Sequence, residues 1–201
     1  MGRLPVMLHV NVSYNKLLKA LTKNGRPCDL IGYREVTNMR TRLLSEQLIK
    51  KRFPQLRYVR VHTEGVNKAT IYAWDEDLQL PEKDIRRLKH FASDYLHPYA
   101  CFTVKTYNMV QPDKVPKNEE LPDAILKSAL HRGLDQQMIM DSINGLFPYG
   151  RLSFNQYDHA TGTIYFDFHA ITWVHPTDQA RISQYLHELI PLGAKCEVSY
   201  H

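Results

Sequence analysis

A chain of 201 residues, 43% of them hydrophobic and 23% charged, carries enough apolar side chains to bury a core, which excludes large-scale disorder. No run reaches the ~18 to 20 apolar residues of a membrane-spanning helix, and residues 1–12 lack the features of a secretory signal, so a soluble, cytoplasmic chain with no membrane contact is expected. The net charge of +5 is unevenly spread: residues 1–110 hold 19 Lys plus Arg against 10 Asp plus Glu, and residues 111–201 hold 7 against 11. A basic half suits a polyanionic partner, and a basic half joined to an acidic one also suits homo-oligomers built by charge complementarity.

Val6, Leu8, Val10 and Val12 alternate with Met7, His9 and Asn11, the period of a half-buried strand. Ser13 then caps a short helix through Leu21, ended by Asn24-Gly25. Thr37 or Asn38 is the expected N-cap of a helix over 39–52, with Leu43, Leu44, Leu48 and Ile49 as its apolar stripe. Its last turn gathers Lys50, Lys51 and Arg52, where cations also suit the helix dipole.

The next segment alternates as a hairpin. Val59 and Val61 share one face with Ile71 and Ala73; Tyr58, Arg60, His62, Tyr72 and Trp74 share the other. A helix over 82–96 follows, then a strand over 101–107. Residues 108–120 contain two prolines and no period, which reads as a linker. Helices over 121–131 and 134–146 flank Gly133. In the second hairpin Leu152, Phe154, Ile164, Phe166 and Phe168 face inward, while Ser153, Asn155, Tyr157, Tyr165, Asp167 and His169 face outward. A helix over 177–190 and a strand over 194–200 close the chain.

The two halves thus repeat one order of elements. Shared identities support the repeat: Phe53-Pro54 with Phe147-Pro148, Thr70-Ile71-Tyr72 with Thr163-Ile164-Tyr165, and Pro81 with Pro176. The expected fold is α+β: a tandem repeat of a helix-hairpin-helix-strand unit of ferredoxin-like type, with antiparallel sheets and helices on one face. The organisation is a basic α+β repeat over 1–110, a linker over 111–120 and a second repeat over 121–201. A competing assignment takes 121–146 as a helix-turn-helix and the hairpin after it as a wing.

No phosphate-binding loop, dinucleotide-binding glycine turn, His-Glu-x-x-His helix or nucleophile elbow occurs, so a non-catalytic protein is expected. Cys28, Cys101 and Cys196 form no Cys-x-x-Cys pair, and no metal or cofactor is expected. The face of Tyr58, Arg60, His62, Tyr72 and Trp74 can stack bases and hold phosphates, with Arg57, Lys68 and Lys50, Lys51 and Arg52 extending its positive field. This predicts a nucleic-acid-binding protein, DNA and RNA being indistinguishable. The alternative is an assembly module with charge-complementary halves. A third reading, a metal-dependent hydrolase, would use Asp167 and His169 with Asp158, His159 and His175. Asp75-Glu76-Asp77 is a further acidic run, read as a solvated loop.

Overall fold

Thr41 adopts extended backbone and its hydroxyl accepts from the Leu44 N–H at 3.1 Å, which starts helix α1 (Arg42–Arg52). In chain order there follow β1 (Tyr58–Gly65), β2 (Lys68–Trp74), α2 (Glu82–Phe91) with a π-helical turn over Ala92–Leu96, and β3 (Cys101–Thr106). The second half contains α3 (Asp123–Ala129), α4 (Gln136–Leu146), β4 (Gly150–Asp158), β5 (Thr163–Ala170), α5 (Pro176–Leu189) and β6 (Lys195–Tyr200). These elements come from a computed structural model that describes residues 40–96, 100–117 and 120–201. The expected strand over 5–12, the helix from Ser13 to Leu21 and the caps Thr37 and Asn38 lie outside the described residues.

The halves agree down to their helix ends. Helices α1 and α4 have 11 residues each, both take a side-chain N-cap (Thr41 and Asp135), and both stop at a phenylalanine with nearly the same backbone. Phe53 has φ −125° and ψ 69°, Phe147 φ −124° and ψ 71°, and each donates its N–H back to an isoleucine carbonyl. The prolines that follow, Pro54 and Pro148, prevent either helix from continuing.

Each half closes a three-stranded sheet, in the orders β1-β2-β3 and β4-β5-β6. The first pair is antiparallel, as in any hairpin, but β2 with β3 and β5 with β6 run parallel. The sheets are therefore mixed rather than antiparallel. A single helix between two strands returns the chain to the end where the first strand began, so the next strand must run the same way. Because β2 and β3 are direct neighbours, no strand splits the pair as it would in a ferredoxin-like unit. The hairpin β4–β5 likewise belongs to a sheet with β6, not to a free wing.

Register corrects one apparent identity. Lys68 pairs with Cys101 and Thr163 with Lys195 at the start of each parallel pair, which makes Tyr72 the counterpart of Asp167 and Trp74 that of His169. The two Thr-Ile-Tyr triplets are thus displaced by two positions. An even slip preserves which face each side chain occupies, so the pattern survives while the alignment does not.

Inner faces carry the cores. Val59, Val61, Ile71 and Ala73 pack with Ile49 of α1 and Leu88 of α2; Leu152, Phe166 and Phe168 pack with Ile143 of α4 and with Ile182 and Leu186 of α5. A bulge between Phe154 and Gln156 takes up one residue of β4 and shifts the register, so Tyr157 pairs with Ile164, while its ring stays 41% exposed.

The halves are joined within one compact unit, Val36–His201. Arg42 is the centre of the joint: it donates to Glu46 at 2.7 Å and, through two nitrogens, to Glu188 of α5 at 2.9 and 3.0 Å. Burial pushes the Glu46 carboxyl above its usual range, opposed by the Arg42 charge and by the Val61 N–H that it accepts. Gly193, at φ +88°, brings its carbonyl to the Asn67 N–H at 3.1 Å; a Cβ there would lie 3.1 Å from the Asn67 backbone.

Candidate functional site

Strand pairing sets the outward side chains of the first sheet in rows. One row runs Arg60–Tyr72–Lys105 across all three strands. The neighbouring row pairs Tyr58 with Trp74 and is extended by Tyr107, the first residue after β3. Its ring stacks on Trp74 at 5.4 Å and 29°, while Tyr58 meets Trp74 edge-on at 5.8 Å and Tyr107 at 5.6 Å. His62 lies on the same face opposite Thr70. The shared face read from alternation is therefore present, with Lys105 and Tyr107 added to it.

That face is covered. Residues 107–117, read from sequence as the end of a strand at Tyr107 followed by a linker from 108, begin with a helical turn (Tyr107–Val110) and then cross the outer face of the sheet as a strap. Asp113 accepts from the Tyr72 hydroxyl at 2.8 Å and from Lys105 Nζ at 2.7 Å, and Arg60 donates to the Pro116 carbonyl. Tyr72 is completely buried, whereas Tyr58 keeps 40% of its surface. Burial first, and the bond to Asp113 second, push the Tyr72 phenol far above its usual range. The hydrogen bonds from Lys105 and Tyr72 hold the Asp113 carboxyl below its usual range, and the Asp113 bond raises Lys105. Burial lowers His62, with the nearby Arg60 charge acting the same way. Arg60 Nε and Trp74 Nε1 are buried and find no hydrogen-bond partner among the described residues.

The flanking cations expected to extend the positive field are not gathered on this face. Lys68 is exposed at its far end, and Arg57 is exposed and paired with Glu76 at 2.8 Å. Lys50, Lys51 and Arg52 are exposed at the end of α1, which packs on the inner side, so the sheet stands between them and the aromatic row. There Arg52 instead borders a groove with Phe53, Arg87, His90, Phe91 and Tyr95. Arg87 lies over the Phe53 ring at 5.7 Å and Phe91 stacks on Tyr95 at 5.4 Å.

The acid and histidine residues considered for hydrolysis are dispersed among local tasks. Asp167 accepts from Asn155 Nδ2 at 2.9 Å and lies 3.5 Å from His201 Nε2; His169 stacks on the His201 ring at 5.3 Å. Asp158 closes the β4–β5 turn by accepting from the Ala160 N–H and the Thr161 hydroxyl. His175 caps α5, and Asp75 holds its own turn through the N–H groups of Asp77 and Gln79. Among the described residues no three His, Cys, Asp or Glu side chains group as metal ligands.

Sequence reasoning missed a second surface. In the loop after β5, Ile171 is 86% and Trp173 74% exposed. They border a groove with Ala170, Val174, Gln179 and Tyr200. The signal available was their place in a short segment between strand and helix, where a pattern does not assign a side.

No protein-family model matches the chain, and no curated protein does. Among solved structures it is similar to the PrgH periplasmic domain, at 14% identity and a TM-score of 0.28, over 77% of this chain and 65% of that one. A fragment of the periplasmic domain of the T3SS inner membrane protein PrgH from S. typhimurium gives 12% identity and a TM-score of 0.27, over 77% and 66%. The chain spans just under two thirds of the length of the PrgH chains it matches. No helix among the described residues is long and apolar enough to cross a membrane.

Proposed function

We propose that this chain is a non-catalytic assembly module that binds a second copy of itself, head to tail. The observation that carries the reading is the exposure of Ile171 and Trp173, 86% and 74%, two residues apart on one loop. Single exposed apolar residues are ordinary, but a large pair beside a groove is the anatomy of an interface centre, where Trp is enriched. Charge supplies the complement. Lys83, Arg86, Arg87 and Lys89 are exposed along α2, while Asp123, Asp135, Asp141 and Glu197 are exposed in the second half. A heterologous contact between unlike halves uses both features.

Sedimentation velocity at low and high salt tests this. The wild-type chain is expected to associate with rising concentration and to dissociate as salt screens the charges, and the double variant Ile171→Asp, Trp173→Ala is expected to stay monomeric. A chain that remains monomeric at every concentration in low salt overturns the reading.

A second reading, binding of single-stranded nucleic acid by the first half, is favoured by the aromatic row Tyr58, Trp74 and Tyr107 beside the cations Arg60 and Lys105. Its test is the salt dependence of oligonucleotide binding, with a log-log slope of about 0.7 for each phosphate neutralised. Absence of binding at low salt, with Asp113 present or replaced by alanine, removes it.

A further inference from the structure

Arg60 Nε and Trp74 Nε1 are buried donors without partners among the described residues, although a strap lies directly over them. Buried polar groups are paired as a rule, and orphans point to an absent partner. Both orphans sit in adjacent rows of one surface, and both are donors. A ligand that met both would have to offer acceptors.

What the strap does supply resembles a nucleotide contact by contact. The Tyr107 ring stacks on Trp74 at 5.4 Å and 29°, as a base would. The Asp113 carboxylate meets Lys105 at 2.7 Å and the Tyr72 hydroxyl at 2.8 Å, as a phosphate would. The Pro116 carbonyl accepts from Arg60. A carboxylate offers fewer acceptor oxygens than a phosphodiester with its sugar and base edges, which accounts for the two donors left over.

The strap is also weakly held. Of residues 107–117 only Val115 is buried, and Lys114 takes a left-handed backbone at φ 52°. A segment with so little buried apolar surface opens locally at low free-energy cost.

We propose that the strap is a displaceable internal occupant of a binding site for single-stranded nucleic acid, with Trp74 as the stacking platform and Arg60, Lys105 and Tyr72 as the phosphate clamp. Asp113 competes with the strand's phosphates for the same groups. This inference rests on the nucleic-acid reading above, and the experiment separates the two.

The probe is fluorescein-labelled oligothymidylate, titrated by anisotropy at low salt against the full chain, Asp113→Ala, Asp113→Asn and Asp113→Ala combined with Arg60→Ala. Removing the internal competitor is expected to tighten binding by about tenfold, the gain for a site that is open about one tenth of the time. The added Arg60→Ala is expected to reverse that gain. In a Trp173→Phe background, which leaves Trp74 as the reporting indole, oligonucleotide is expected to quench the fluorescence as Tyr107 gives way to a base. Far-UV circular dichroism confirms that each variant folds, and Asp113→Asn, which still accepts from Tyr72, stands in if the alanine variant does not. Binding that is present but equal in wild type and both Asp113 variants overturns the strap inference and leaves the nucleic-acid reading intact. Absence of binding in every protein overturns both. Self-association gained by the Asp113 variants without oligonucleotide binding overturns the inference in favour of a protein ligand for this face.

Discussion

The two sheets share strand order, pairing and helix caps, yet their outer faces have opposite characters. In the first, the rows read Tyr58–Trp74–Tyr107 and Arg60–Tyr72–Lys105, large and aromatic or cationic, beneath a strap. At the corresponding positions of the second stand Arg151, His169 and His201, then Ser153, Asp167 and Ser199, with no segment crossing them among the described residues. One scaffold thus carries a closed surface and an open one. The inner faces are under the same constraint, to bury a core against helices, and they stay alike. The outer faces are released from it, and there the halves diverge.

The strongest way to break this pairing is to cut the joint between its members. Arg42 lies between Glu46 and Glu188 with only 15% of its side chain exposed. Arg42→Ala would leave Glu46, already pushed up by burial, without its counter-charge. Removing one partner of a buried pair costs about 3 to 5 kcal/mol. Urea unfolding is expected to shift to a much lower midpoint, and the slope would report whether the two halves still unfold together.

Equivalent substitutions on the two outer faces sharpen the contrast. Tyr72→Ala empties a fully buried site and is expected to cost about 3 to 5 kcal/mol, as other buried aromatic truncations do. Asp167→Ala, at the matching position, loses a hydrogen bond to Asn155 and a loose contact with His201. Its expected cost is under about 1 kcal/mol. Comparable losses at both positions, read from the same urea curves, would show that the second face is as structurally committed as the first.

The elements that were legible in the sequence are those whose side chains obey a period. The stripe Leu44 and Ile49 of α1, the alternation over Val59–Val61, and the phenylalanines of β5 each report a face that must be buried, and each is buried. The rest of the fold depends on contacts between distant residues. Residues 108–117 have no period because Pro112 and Pro116 prevent regular structure, yet their position is set by Asp113 meeting Tyr72, 41 positions away. Periodicity identifies two faces but not which one a non-periodic segment will cover. The parallel strand was implicit in the helix that precedes it, and the bulge that shifted the register at Tyr157 leaves no mark in composition. Alternation placed Tyr58, Arg60, His62, Tyr72 and Trp74 on one face, as the strand register does, and what covers that face lay beyond local reasoning.

The smallest expected effect is a local one, confined to the strap and visible by pH. The Asp113 carboxyl is held below its usual range by the hydrogen bonds from Lys105 and Tyr72. A depressed carboxyl contributes stability that is fully present above its ordinary value, about 4, and lost as pH falls through the lowered one. Lys105 is raised by the same bond, so its contribution is complete below its ordinary value, about 10.4, and lost as pH rises through the raised one. The groups that act on Asp113 are Lys105, Tyr72 and His62. Of these only His62 has an ordinary value near neutrality, and burial lowers it. The fluorescence of Trp74, in the Trp173→Phe background, is therefore expected to be flat through neutral pH and to change in acid below about 4, ahead of global unfolding. Asp113→Asn should remove that transition. A transition between about pH 5 and 7 that persists in the asparagine variant would instead place control of the strap with His62.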